Sequence, residues 1–372
     1  MRTVWSPTVS SIDGDADLLA ICPTVSEMYS GLRRAATVPG KTLTLARNSL
    51  SRRFAYYESG GSRAVKMVRT ARNTVLTLGV LSVCWTAVPA QAAPVTYREY
   101  VALGDSWTAD VFTTLPPSTT DVPMDCTQSP TNYPHQVAAA LAVPIFRDAS
   151  CASATTVDMT NPQRLPLGGV NRPQFDQLTA TTDLVTLGIG GNDIGLQILA
   201  MHCLQFIPSS ASGTETAACA TKPTAGKPDR TTAKIMATGP LVQSVIAGIR
   251  QRAPKARILL VDYLNALPTN GKGCRPNVPA NDVDVAYLRD KFAQMIGMLF
   301  QAAAASHVEY VNTYTPSTGH DVCQNAATRY VEGISFTSPH NNPGLAYPLH
   351  PNGLGAAAQT TAVLDQIKRG TV

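Results

Sequence analysis

Apolar residues along this chain fall into five short runs, separated by longer stretches with helical spacing. The runs Tyr100–Leu103, Ile145–Arg147, Leu184–Gly188, Ile258–Tyr263 and Val308–Val311 have the length and composition of buried strands. Between them, Tyr133–Val143, Phe175–Thr179, Ile194–Phe206 and Ala233–Arg252 read as helices. So does Val283–Ala305, where Leu288, Phe292, Met295 and Leu299 share one face. A final helix is expected after Asn352. Strands alternating with helices predict an α/β fold, a parallel sheet covered on both faces. The stretches Thr113–Tyr133 and Ile207–Arg230 carry Pro, Thr, Ser and Ala without periodicity and read as loops. No internal repeat is present. In a parallel sheet, ligands bind beyond the carboxyl ends of the strands. Chemistry is therefore expected just after the apolar runs.

The first quarter of the chain follows another pattern. From Met67 the sequence runs Met-Val-Arg-Thr-Ala-Arg, then an apolar stretch from Val75 to Val88, then Ala90-Gln91-Ala92. A basic segment, an apolar segment and a small-residue cleavage site form a secretory signal peptide, with cleavage expected after Ala92 or Ala93. The apolar stretch is short for a membrane span. Val83 before Cys84 is too bulky for a lipoprotein box. Residues 1–66 lack sustained periodicity and would be an unusual extension in front of a signal. Translation is therefore expected to begin at Met67, with a long leader as the alternative. The expected division is an extension outside the translated protein or without fixed structure (1–66), a signal peptide (67–93) and one large domain (94–372).

Charge follows the same division. Of 30 Lys/Arg and 25 Asp/Glu, residues 1–93 hold eleven and five, leaving nineteen basic and twenty acidic residues behind them. A near-neutral domain without a basic run argues against nucleic acid as a partner. Two of the eight cysteines, Cys22 and Cys84, lie in the front segment. The remaining six, an even number in a secreted chain, suggest three disulfides. No CxxC or close Cys/His cluster suggests a metal.

Three short strings stand where strands should hand over to loops. Gly104-Asp105-Ser106-Trp107 ends the first run, Gly190-Gly191-Asn192-Asp193 ends the third, and His350-Pro351-Asn352 precedes the last helix. A serine hydroxyl becomes a nucleophile when a base takes its proton and donors meet the developing oxyanion. Ser106 can supply the nucleophile and its own N–H, Asn192 an amide donor, and His350 the base. Each has a plainer reading: a helix-capping serine, a turn asparagine with Asp193 capping the next helix, and a surface histidine. His340 and His320 compete with His350 for the role of base. The three strings together favour chemistry.

These motifs resemble those of the GDSL-type SGNH hydrolases, in particular the secreted actinobacterial lipase/esterase branch, over essentially all of residues 97–372. The resemblance implies a three-layer α/β/α sandwich with a five-stranded parallel sheet of flavodoxin-like type. It also implies the disulfides Cys126–Cys151, Cys203–Cys219 and Cys274–Cys323. Carried over by residue, Ser106 is the nucleophile, His350 the base, and Ser106, Ser153 and Asn192 the oxyanion donors. No Gly-x-Ser-x-Gly elbow is present, so the ordinary α/β-hydrolase arrangement is not supported.

Two positions depart from the family pattern. Cys151-Ala152-Ser153-Ala154-Thr155 carries Ser153 where glycine is usual, although the backbone N–H remains. Position 347, where many members place an aspartate to orient the histidine, is Tyr. The Tyr347 carbonyl, or another within Ala346–Leu349, is expected to orient the ring instead, with Asp321 as the alternative. The resulting expectation is a secreted, monomeric serine hydrolase that cleaves lipid or small-molecule carboxylic esters. It needs no cofactor and has no stable membrane span. Alternatives on the same scaffold are a polysaccharide O-acetyl esterase, an acyltransferase and a catalytically silent wall-binding protein. With neutral imidazole as base, activity is expected to rise through about pH 6–7.

Overall fold

The computed structural model describes residues 96–203, 219, 229–334 and 346–370, together with three short strands near the start of the chain. The chain divides into two units, residues 1–88 and 89–372. In the first, Thr37–Val38, Lys41–Arg47 and Phe54–Glu58 pair antiparallel. The second is built on five parallel strands: β1 (Glu99–Gly104), β2 (Ile145–Asp148), β3 (Leu184–Gly188), β4 (Arg257–Val261) and β5 (Glu309–Val311). Their spatial order is β5-β4-β3-β1-β2.

Burial on both faces explains why the three central strands, β1, β3 and β4, are mostly apolar, whereas the edge strands β2 and β5 carry charged residues and are only partly buried. Successive side chains then sort the core by parity. Val101, Leu103, Val185 and Leu187 enter one hydrophobic cluster, and Tyr100, Ala102 and Leu184 the other. The larger cluster lies under α5 (Arg230–Arg252) and α6 (Asp282–Ala305), through Val242, Ile246, Ile249, Met295 and Leu299. The smaller lies under α2 (Tyr133–Ala140) and α7 (Gly353–Lys368), through Tyr133, Val137, Val363 and Ile367. Two helical layers around one sheet give the expected three-layer sandwich.

Two expected helices differ. Phe175–Thr179 is only a 3-10 turn, Gln174–Gln177, which starts after Pro173. Gln174 is held as a clamp: its side chain accepts from Gly104 N–H and donates to Gly104 C=O, both at 2.8 Å. Ile194–Phe206 does not form one helix. Gly195, at φ +77°, ends α3 (Gly191–Ile194), and α4 (Leu196–Cys203) follows. Residues 204–206 lie outside the described residues. The short antiparallel pair Gln163–Arg164 and Val170–Asn171, on the crossover between β2 and β3, had no periodic signal.

The register places the site. Gly104 of β1 pairs with Gly188 of β3, so their continuations leave the sheet at one level. Asp105 N–H then donates to Gly188 C=O at 3.0 Å. A Cβ on Gly104 would lie 2.2 Å from Thr108 Oγ1 and 2.8 Å from Gly188 O, so this crossing excludes a side chain.

Candidate active site

Ser106 opens α1 (Ser106–Ala109) but does not cap it. The cap is Asp105, whose Oδ1 accepts from Trp107 N–H at 2.9 Å. The Ser106 hydroxyl is therefore free for another partner and lies 2.7 Å from His350 Nε2, 244 residues away. The same helix start leaves the Ser106 N–H without an acceptor among the described residues.

His350 is buried and held by backbone on both sides. Leu349 N–H donates to Glu332 C=O at 2.9 Å, and Glu332 N–H donates to His350 C=O at 3.0 Å. Asn352 locks the following turn. Its oxygen caps α7 through Leu354 and Gly355 N–H, and its Nδ2 donates to Arg329 C=O and Glu332 Oε1. Glu332 is paired in turn with the Arg329 guanidinium.

The carbonyl that accepts from His350 Nδ1 is that of Pro348, at 2.9 Å, not that of Tyr347. Tyr347 C=O instead accepts the His350 N–H at 3.1 Å, closing a tight turn that brings the next carbonyl under the ring. The Tyr347 ring meets the imidazole edge-on, with centroids 5.2 Å apart. Asp321 serves its own loop, accepting from Cys323 N–H at 2.9 Å and from the Gln324 amide at 3.2 Å. His320 stacks on Tyr330 and bonds Thr328 C=O. His340 lies outside the described residues. Burial lowers His350 from 6.5 to about 4, outweighing the Pro348 carbonyl, which favours the charged form.

Asn192 lies in the turn after β3. Gly190 takes φ +119° there, a conformation open to glycine and costly for other residues. Asn192 Nδ2 donates one hydrogen to Ala154 C=O at 2.9 Å. An amide nitrogen carries two hydrogens, so the second remains for a ligand. Asp193 does not cap α3. Its carboxylate accepts from Thr156 N–H at 3.1 Å and Thr156 Oγ1 at 2.5 Å. The 151–156 loop is thereby tied to the 190–194 turn at two points, and Cys151 N–H joins it to Gly104 C=O at 3.2 Å. Ser153 in that loop sits at φ +61°, the left-handed region, which accounts for glycine being usual there. Its side chain is exposed, and its N–H meets no acceptor among the described residues.

The disulfide partners implied by the resemblance come together. Cα–Cα distances are 4.4 Å for Cys126–Cys151, 4.9 Å for Cys203–Cys219 and 5.6 Å for Cys274–Cys323. A cleft of about 240 Å³ opens beside Ser106 and His350. Its walls are mostly apolar: Leu196 and Ala200 from α4, Leu288 and Phe292 from α6, Leu267 after β4, and Trp107 beside the serine. Among the described residues, no group of three or more Cys, His, Asp or Glu is arranged to hold a metal ion, and no helix is long and apolar enough to cross a membrane.

The model of the GDSL-like lipase/acylhydrolase family matches residues 102–358. The chain belongs to that family. The GDSL-like hydrolase is 33% identical to Lipase 2 of Streptomyces coelicolor, over 82% of this chain and 96% of that protein. It is 26% identical to an esterase of Streptomyces scabiei, over 81% of this chain and 95% of the relative. Its fold is shared with the crystal structure of phospholipase A1 from Streptomyces albidoflavus NA297. There the TM-score is 0.52 and identity 22%, covering 73% of this chain and all of the other. By class this GDSL-like hydrolase acts on carboxylic esters.

Two features of its site carried no motif. Pro348 supplies a carbonyl that any residue could supply, so composition gives no sign of it. Tyr263 follows β4, donates to Asp105 Oδ2 at 2.5 Å and accepts from Gly191 N–H at 3.0 Å. Its one sequence signal is position: it ends an apolar run, as Gly104 and Gly188 do. Burial raises Asp105 to about 7 against the pull of the Tyr263 hydroxyl.

Proposed function

We propose that the protein is a secreted serine esterase that transfers an acyl group to Ser106 and then to water, with His350 as the base. Neutral His350 takes the hydroxyl proton as Ser106 attacks the ester carbonyl, and the imidazolium then protonates the leaving alcohol. Water attacks the acyl-enzyme by the same route in reverse. The Ser106 and Ser153 N–H groups and the second Asn192 amide hydrogen meet the oxyanion. The Pro348 carbonyl keeps the Nδ1 proton in place, so Nε2 faces the serine as acceptor.

The 2.7 Å contact between Ser106 Oγ and His350 Nε2, made beside the apolar cleft, carries this reading. The apolar walls favour an acyl chain over a sugar, and so favour lipid-like esters over glycan acetates. Secretion is supported by the signal-like segment 67–93 and by six cysteines brought together as three pairs. One chain supplies nucleophile, donors and base, which suits a monomer.

The test is turnover of p-nitrophenyl esters from acetyl to palmitoyl by wild-type protein and Ser106→Ala. The expected result is turnover that disappears in the variant, with an optimum beyond acetyl. An optimum at acetyl would favour the glycan-ester reading. Failure of a fluorophosphonate to label Ser106 would point to the silent scaffold.

A further inference from the structure

We propose that Tyr263 is a positioning residue, setting the loop of the Asn192 donor against the Ser106 helix through a single hydroxyl; the proposal rests on the serine-esterase reading above. The backbone N–H of Gly191 can only donate, so the phenol accepts there and its one proton points to Asp105. Asp105 in turn caps the helix that begins with Ser106, through Trp107 N–H. One uninterrupted chain of hydrogen bonds thus runs from the residue before Asn192 to the residue before Ser106.

The bridge is rigid. The Tyr263 ring is buried, with Trp107 packed edge-on at 5.4 Å between centroids and Phe292 at 6.2 Å. A Cβ on Gly191 would stand 3.2 Å from the hydroxyl oxygen, tighter than an ordinary van der Waals contact, so the loop lies close against the phenol. Burial pushes the phenol well above its ordinary value, which keeps the proton in place. The two other ties on the Asn192 turn, to Ala154 and Thr156, lead to the 151–156 loop. Among the described residues, Tyr263 joins the turn itself to the nucleophile's own segment, while Thr108 Oγ1 and Asp105 N–H reach only the preceding strand end at Gly188 C=O. An oxyanion donor works only within a narrow range of positions, and a shift of about 1 Å can cost ~10²-fold in rate.

The experiment is a double-mutant cycle in the full chain, pairing Tyr263→Phe with Asn192→Ala and reading kcat, KM and Tm on p-nitrophenyl butyrate. Tyr263→Phe is expected to lower kcat about 10- to 100-fold with KM changed less than about threefold. Asn192→Ala is expected to cost ~10²–10³ in kcat. The double variant should then be no worse than Asn192→Ala within about threefold, because the phenol acts through that donor. Effects that multiply, or a Tyr263→Phe kcat near wild type with only Tm lowered, would overturn the proposal. Should Tyr263→Phe not fold, Asp105→Asn enters the same cycle. Its amide can serve Trp107 N–H but presents an N–H₂ to the phenol, and independence from Asn192→Ala would again overturn the role. Turnover absent from wild type, or surviving in Ser106→Ala, would instead fail the esterase reading itself.

Discussion

Burial governs the acid–base behaviour of His350. Desolvation disfavours the imidazolium and lowers its pKa from 6.5 to about 4. The base is then neutral at all pH values above that, so the rise through pH 6–7 expected of an ordinary histidine moves down. The acid limb of kcat/KM is predicted near pH 4–5, and a limb centred above pH 6 would show that the ring is solvated in the working enzyme. Linkage has a definite sign here. Between about pH 6.5 and 4 the unfolded chain binds a proton at this residue that the folded chain does not, so stability is present above that window and is lost as pH falls through it. Ser153 carries a second prediction at this scale. Its left-handed backbone at φ +61° costs an L-residue roughly 1 kcal/mol, so Ser153→Gly is expected to raise stability by up to about that amount in chemical unfolding. Its N–H is retained, so turnover should hold. The serine hydroxyl, the Asn192 amide and the imidazole were legible from residue type and motif order. The Pro348 carbonyl was not, since its contribution is backbone and depends on the turn that Tyr347 C=O closes.

At the scale of elements, the loops of the candidate site hang on strand ends that the apolar runs mark. Phase along β1 put Val101 and Leu103 on one face and Tyr100 and Ala102 on the other, as the period of two requires. The helix expected over Ile194–Phe206 breaks at Gly195 because a glycine at φ +77° turns the chain, a choice that apolar spacing does not register. The break has a use: α4 swings out to present Leu196 and Ala200 to the cleft, facing Leu288 and Phe292 of α6. Ala200→Phe is therefore expected to shorten the preferred acyl chain. Each buried methylene contributes about 0.8 kcal/mol, so excluding two or three of them should cost ~10- to 100-fold in kcat/KM on long esters. Acetyl turnover should change little, and an unchanged chain-length profile would place the acyl group elsewhere. The disulfides anchor the same rim, since Cys151 lies two residues before Ser153 and Cys203 ends α4. Removing Cys126–Cys151 as a double alanine variant is expected to cost roughly 2–4 kcal/mol of unfolding free energy. Activity should fall before the sheet is lost, read by turnover against far-UV circular dichroism along a denaturant series.

For the molecule as a whole, composition and pattern determined a great deal. Five apolar runs alternating with helices prescribe a parallel sheet, because strands with no polar face must be covered on both sides. Ordered strings at two strand ends and before the last helix prescribe where a hydrolase site can assemble. Residue chemistry also singled out a serine, an asparagine and a histidine as the proposed working groups. What only the tertiary structure decided was distance and environment. It brought Ser106 within 2.7 Å of a histidine 244 residues away, chose Pro348 over Tyr347 beneath the ring, and drew Tyr263 between two loops. It also lined the cleft mostly with apolar side chains from α4, α6 and the loop after β4, which turns the substrate reading toward acyl chains. Pattern along a chain reports which side of an element is buried, whereas hydrogen-bond partners and desolvation arise only when separate elements meet. A backbone carbonyl or a bridging phenol is therefore invisible until the strands are laid side by side.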